Sequence, residues 1–353
     1  MKTYCSRRAV VHWARALRAV LVLSAAALLP GATVGAQETE EAYFKGKTVK
    51  LIVGYSPGGG YDLYARMVAP YLGKALQANV IVENQPGAAG MTALNRLYTS
   101  PPDGLQVMLA GGTAASMAQL VGEPGARYDL AKVGYLGLVS KSPYIWVVGT
   151  GSSIQVPSDA AKQAAKIIWG ATGPMDGLSD GAAFTCEALN LSCKVIIGFK
   201  STSEVALAIA RGEIDAIYTS DTAAANYVKS GNARAVATMA PQRSRYFPDL
   251  PTIYEIGNLK PGQRWWFDFR ANVDNLGRIL IVPPGMAEPR LAHLQKATRQ
   301  ALSDPELIAE GARSQRIVDY QDPESTRQMA VSVVGSVTPE RRQQIRDAVA
   351  KRD

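Results

Sequence analysis

Val49-Lys50-Leu51-Ile52-Val53-Gly54-Tyr55-Ser56-Pro57-Gly58-Gly59-Gly60-Tyr61-Asp62 reads as an apolar strand that empties into a glycine-rich loop. A helical pattern over residues 63–76 follows, and the cycle then repeats. Residues 79–83 (NVIVE) form a second strand, residues 84–90 (NQPGAAG) a second small-residue loop, and residues 91–98 a second helix. A parallel sheet delivers both loops to its carboxyl edge, because each helix returns the chain to the opposite end. Unpaired N–H groups and positive helix ends then converge on one small space, an arrangement suited to an anion. Three consecutive glycines weaken a chain unless something must approach it closely, which favours ligand contact over a mere connection.

Working outward, apolar runs alternate with helical patterns nearly throughout, the signature of an α/β fold. Strands are expected at 106–110, 134–139, 144–149, 167–170, 194–197, 216–219, 233–238 and 278–282. Glycine-, serine- and threonine-bearing loops at 171–178 and 198–203 lead into helices, so the middle section repeats the logic of the first. Three helical patterns close the chain, opening at Glu288, Pro305 and Pro339. Residues 258–275, with Trp265-Trp266-Phe267, fit core or hinge packing better than a pocket.

At the start, Arg7, Arg8, Arg15 and Arg18 precede an apolar run over residues 19–29, and Val34-Gly35-Ala36 is a small-residue cleavage site. That run is shorter than the ~20 residues a membrane span needs. Residues 1–36 are therefore expected to be a signal peptide cut near Ala36, with the remainder exported. The leader carries Lys2, four arginines and no acid, so a formal charge of +8 falls to 33 basic against 30 acidic residues, +3. With no Lys/Arg cluster interleaved by aromatics, nucleic acid is not an expected partner. A mild positive excess is compatible with a small anion.

Export leaves Cys186 and Cys193, an even pair. On one continuous helix they lie roughly 10 Å apart, too far to bridge. A turn at residues 189–191 brings them together, so either a local disulfide or two buried thiols is consistent with the spacing. No histidine lies near them, and neither a metal nor a cofactor is expected.

Two motif readings fail on geometry. Gly58-Gly59-Gly60 lacks the G-x-G-x-x-G spacing of a dinucleotide site, and Gly46-Lys47-Thr48 precedes its strand instead of following it. A hydrolase is the catalytic rival. Gly54-Tyr55-Ser56-Pro57-Gly58 matches the G-x-S-x-G elbow, with His293 downstream. That chemistry needs the N–H of the residue after the serine, and Pro57 has none.

Several segments together carry a family likeness: Phe44-Lys45-Gly46-Lys47, Pro57-Gly58-Gly59-Gly60-Tyr61-Asp62, Val82-Glu83-Asn84-Gln85-Pro86-Gly87-Ala88, Pro102-Asp103-Gly104, Gly212-Glu213-Ile214-Asp215, Pro248-Asp249-Leu250-Pro251-Thr252 and Pro283-Pro284-Gly285. In this order and spacing they resemble the substrate-binding receptors of tripartite tricarboxylate transporters, the Bug proteins, over residues 43–319. The resemblance implies a two-lobed periplasmic binding protein of type II-like α/β fold. Each lobe is then a mainly parallel sheet flanked by helices, with the ligand cleft between lobes. Residues 37–142 plus 255–353 form lobe 1, and residues 143–254 form lobe 2. It further implies no enzymatic activity, a small organic anion (a carboxylate) as ligand, a membrane permease as partner, and a monomer. A ligand sensor docking on a membrane receptor differs only in partner.

Carried over residue by residue, the resemblance assigns ligand contact to Tyr55, Ser56, Gly58, Gly59, Tyr61 and Asp62 in the first loop. Asn84, Gly87, Ala88 and Ala89 follow in the second. Thr172, Gly173, Lys200, Ser201 and Asp221 belong to the other lobe. Bland readings stand beside some of these: Asp62 stabilises the first turn of a helix, Asn84 braces its own loop, and Lys200 is a solvated lysine. Tyr61 stands where a small hydroxyl residue is usual in the family, so the pocket either shrinks there or gains a ring to stack on an aromatic acid.

Overall fold

The apolar run that opens the fold becomes β1 (Thr48–Val53), and its last three residues are buried on both faces. Such burial requires packing above and below the sheet: Ile52 joins one core cluster and Leu51 and Val53 the other. β2 (Asn79–Asn84) and β3 (Gln106–Gly111) flank the strand, both parallel to β1. The computed structural model describes residues 39–174 and 176–351. The expected signal peptide lies outside these residues.

Between these strands run α1 (Glu40–Phe44) ahead of β1, α2 (Gly60–Leu76), α3 (Met91–Tyr98) and, after β3, α4 (Gly112–Val121). β4 (Gly134–Ser140) and the late β10 (Arg278–Val282) complete a five-stranded sheet of order β2-β1-β3-β10-β4. The chain then crosses to a second sheet. It contains β5 (Tyr144–Gly149), β6 (Ile167–Gly170), β7 (Cys193–Ile196), β8 (Ala216–Ser220) and β9 (Ala233–Thr238), in the order β7-β6-β8-β5-β9. Its helices are α5 (Pro157–Ala160), α6 (Gly177–Leu189), α7 (Thr202–Ala210) and α8 (Asp221–Lys229).

The two sheets share one pattern. In each, a single strand is antiparallel to both neighbours, and it is the strand that arrives from the other lobe: β10 in the first, β5 in the second. The remaining strands end at the cleft. A strand entering from across the cleft starts there and must run away from it. Arg278 therefore pairs with Gly111, the last residue of β3, and Tyr144 pairs with Ser220, the last residue of β8.

After α9 (Ile253–Ile256), the tryptophan-bearing segment forms α10 (Pro261–Asp274), opened by proline at its first position, where a missing N–H costs nothing. Its aromatic face joins the lobes. Trp266 packs on Phe184 of α6 at 5.2 Å between ring centroids, while the Thr113 hydroxyl of α4 donates to the Val273 carbonyl. One core cluster runs from Ile52 and Met108 through Trp266 and Val273 to Trp146 and Trp169. The tail adds α11 (Glu288–Leu302), α12 (Pro305–Arg313), α13 (Pro323–Gly335) and α14 (Pro339–Ala350). The α13 helix is not among those the sequence pattern predicts. α14 also touches both lobes: Arg346 donates to the Val121 carbonyl of α4, and Lys351, just past its end, pairs with Glu187 of α6. No helix among the described residues is long and apolar enough to cross a membrane.

Cys186 near the end of α6 and Cys193 at the start of β7 are joined as a disulfide, with their Cα atoms 6.3 Å apart. Asn190 ends the helix in the left-handed region (φ 52°), and this turn folds the strand back toward the helix. By loop-closure entropy, a cross-link over so short a loop stabilises by about 2–3 kcal/mol. Replacing both cysteines with alanine is expected to lower the thermal midpoint accordingly, and adding reductant to the double variant should cause no further loss. Calorimetry with and without reductant checks this.

Candidate ligand-binding site

The loops after the parallel strands of both sheets face each other across a cleft of about 1280 Å³. Lobe 1 lines it with Tyr55, Tyr61, Ala88, Ala89 and the start of α4, and lobe 2 with Thr172, Gly173, Thr202, Ser203 and the start of α8. The two antiparallel strands add their first residues, Arg278 and Tyr144.

The lobe 1 wall starts from backbone. α2, α3 and α4 begin at Gly59, Gly90 and Gly111, and no side chain caps any of the three. A glycine cap brings no side-chain acceptor to the first-turn N–H groups. Backbone carbonyls take some of them, since Met91 donates to Ala88, Thr92 to Gly87 and Gly112 to Gly277. The helices of the lobe 2 wall differ. Asp176 accepts from the Ser179 N–H at the start of α6, Ser201 caps α7, and Ser220 caps α8. Asp176 does more: its other oxygen accepts the N–H groups of Thr172 and Gly173 and the Thr172 hydroxyl. The carboxylate that the lobe 2 loop could bind is thus its own.

Arg278 stands at the centre of the lobe 1 wall. Its guanidinium lies 4.2 Å from the ring centre of Tyr64 and 4.9 Å from that of Tyr61, a cation over two electron-rich faces. Nη1 donates to the Ser140 hydroxyl, Nε is buried without a partner, and no ion pair among the described residues engages the side chain. Nη2 reaches the first residue of α2, 3.6 Å from where a Cβ of Gly60 would stand. A guanidinium at a helix N-terminus sets two positive features side by side, which is unfavourable until an anion joins them. Gly112 makes the placement possible. A Cβ there would come within 2.5 Å of the Leu276 carbonyl oxygen, so only glycine lets the turn before β10 pack on the start of α4.

Tyr55 and Tyr61 stack at 4.4 Å, and their hydroxyls converge on Gly111, where a Cβ would lie 2.8 and 2.9 Å from them. Tyr55 donates to the Ala89 carbonyl and so locks the second loop to the first. Burial pushes both phenols above their ordinary range, in Tyr55 well above it. They therefore stay neutral and keep their protons. Tyr61 does occupy space in the cleft, as the larger ring implied.

Of the residues assigned from sequence, Tyr55, Tyr61, Ala88, Ala89, Thr172 and Gly173 meet at the cleft. Ser56, Gly58 and Gly59 form the exposed tip of their loop, outside the lining, and Gly87 lies beneath Thr92. Asp62 and Asn84 hold the loop from behind. Asp62 is buried, accepts the Gly58 N–H at 2.8 Å and pairs with Arg66 at 2.9 Å; Asn84 donates to the Tyr55 carbonyl and accepts from Arg66. Lys200 is exposed, with its backbone N–H on Glu204, and Ser201 serves as the α7 cap. Asp221 is buried. Its N–H donates to Pro143 in one interlobe crossing, and its carboxylate accepts from Ser244 in the other. Burial raises its carboxyl above the ordinary range.

Ser56 and His293 of the hydrolase alternative do not meet in the cleft: neither lines it, and the His293 ring stacks on Phe44 at 5.4 Å. Arg278, Tyr144 and Asp176 escaped the sequence reading. Arg278 and Tyr144 open strands instead of following them, and only a turn glycine before the arginine marked the place.

A cleft between two α/β lobes, walled by strand-end loops, defines a two-lobed solute-binding protein. Residues 64–331 match the model of the tripartite tricarboxylate transporter family receptor, and the chain belongs to that family. Membership makes it a receptor and not an enzyme. BugT of Bordetella pertussis is 26% identical over 248 residues, covering 68% of this chain and 74% of BugT. Among solved structures, MatC from Rhodopseudomonas palustris with bound malate matches with a TM-score of 0.67 at 20% identity, covering 86% of this chain and 99% of MatC. Another R. palustris protein, with adipate, matches with a TM-score of 0.68 at 15% identity, covering 86% and 97%.

The Arg66 guanidinium beside Asp62 holds its carboxyl below the ordinary value of 3.8, helped by the Gly58 N–H and opposed by burial. A lowered folded pKa contributes stability that is complete above the unfolded value and is lost as pH falls through the folded one. Asp62→Asn is expected to cost about 1 kcal/mol at pH 7, the scale of a charge-assisted hydrogen bond. The gap to the parent should close below pH 3.8. Urea denaturation at stepped pH measures it.

Proposed function

We propose that this receptor captures a small organic anion, a carboxylate, in the periplasm and delivers it to a tripartite tricarboxylate-type membrane permease. The observation that carries this reading is the juxtaposition on the lobe 1 wall. The Arg278 guanidinium, three glycine-capped helix starts and two neutral tyrosines face one space. A carboxylate placed there relieves the repulsion between the guanidinium and the helix ends and accepts from Arg278 and from those first-turn N–H groups that no backbone carbonyl has taken. The malate and adipate in the two fold neighbours belong to the same chemical class.

In this reading the anion docks on lobe 1, and lobe 2 closes over it. The unit that moves is residues 143–254 against 37–142 plus 255–353, turning about the crossings that Asp221 ties down, with α10 as the pivot between packed lobes. Lobe 2 adds contacts only when closed, so ligand shifts the open–closed balance, and the closed form is what the permease reads. Lys200 and Ser201, outside the present lining, lie on lobe 2 and would reach ligand through such closure, whereas Ser56, Gly58 and Gly59 would need their own loop to fold inward and Asn84 braces that loop. Asp62 and Asp221 act as braces. The leader at 1–36 takes the chain across the inner membrane.

Organic acids and their neutral amides, compared by thermal shift, test the reading. An acid at ~100 times its dissociation constant should stabilise the protein by about 2.7 kcal/mol, and its amide should not. Stabilisation by amides alone would overturn the carboxylate assignment. Arg278→Gln should weaken the acid by about 1.5–3 kcal/mol, roughly ten- to a hundredfold, while the unliganded protein keeps or gains thermal stability because a like-sign contact is removed. A variant that keeps its affinity but loses stability would make Arg278 a structural residue instead.

A further inference from the structure

The cleft does not stop at the anion wall. Its lining also includes an apolar arm made of Leu94 of α3, Met108 of β3, Ala115 and Ala118 of α4, and the ring of Tyr128. These side chains are 6% exposed or less, so the arm is narrow and shielded from bulk water. None carries a free polar group: the Tyr128 hydroxyl already donates to the Ala115 carbonyl. Met91 flanks the arm and packs over Gly125, and a thioether there adapts to different shapes. The one charged side chain in this part of the lining is Glu123, which makes no ion pair among the described residues.

We infer that the ligand is an amphiphilic monocarboxylate, whose head sits at Arg278 and whose apolar tail runs into the arm lined by α3, β3 and α4. The inference rests on the carboxylate reading of the cleft and adds the ligand's other end. An apolar tail releases water from both surfaces, whereas a second carboxylate loses its hydration in an arm without donors and meets Glu123. The arm therefore selects for one charge and for length.

Titration calorimetry of the full chain with straight-chain monocarboxylates from butanoate to octanoate, and with the diacids of equal carbon number, tests this. Each methylene that enters the arm should tighten binding about fourfold, the equivalent of ~0.8 kcal/mol per buried methylene. Diacids should bind more weakly than monoacids of the same length. Ala118→Leu fills the arm and should flatten the dependence on length, with Ala118→Val giving an intermediate slope. Glu123→Gln should narrow the gap between diacids and monoacids. Affinity independent of length, or diacids tighter than monoacids, would overturn the inference and leave the carboxylate reading standing. Failure of every acid, short or long, would overturn both.

Discussion

A strand that enters a sheet from across the cleft begins at the cleft and must run away from it. That constraint shapes the molecule. It makes β10 and β5 antiparallel in otherwise parallel sheets, and it puts the first residue of each at the mouth of the site. The same residues that make the interlobe connection therefore also face the ligand space. Arg278 and Tyr144 owe their positions to topology alone. Gly112 and Gly277 allow it, since the turn before β10 packs directly on the backbone of α4, with the Gly112 N–H on the Gly277 carbonyl.

The two walls of the cleft are unequal in charge. Lobe 1 presents glycine-capped helix ends and a guanidinium, and lobe 2 has satisfied its own helix ends with Asp176, Ser201 and Ser220. A helix end capped by its own side chain has little left to offer a ligand, while a glycine-capped end beside a cation is held at some cost until an anion arrives. In the proposed capture, this asymmetry puts docking on the first wall and closure on the second. The buried tyrosines of the first wall stay neutral, and the Tyr55 proton is already committed to the Ala89 carbonyl.

Closure has to respect how tightly the lobes are already joined. α10 is anchored in lobe 2 by Arg270 on the Gly177 carbonyl and by Tyr218 on Asp274, and the buried Arg270–Asp274 pair within the helix, at 2.7 Å, holds both side chains in place. The same end is tied to α4 through Thr113 and Val273. A buried ion pair is weak evidence for stability, since desolvation offsets the attraction, but it fixes one register. The proposed closure is then a pivot about α10 and not a separation of free bodies.

Much of this was legible in the chain. The alternation of apolar runs with helical patterns and the two glycine loops after the first strands imply an α/β fold with an anion space at a sheet edge, because period and turn chemistry are local properties. The meeting of Tyr55, Tyr61, Ala88, Ala89, Thr172 and Gly173 follows from strand-end position, which local pattern also sets. Asp62 and Asn84 could be read two ways, since an acid in a first helical turn and an amide in a loop look the same whether they bind or brace. What local pattern could not reach was the content of the walls. Asp176 turning back on its own loop, Arg278 arriving from 167 residues beyond Gly111 to sit beside it, and the apolar arm of the cleft all depend on long-range packing. The sequence by itself determined the class of fold and pointed to an anion. The tertiary structure decided which donors stay unpaired, because a hydrogen-bonding group is available to a ligand only if no neighbour in space has taken it.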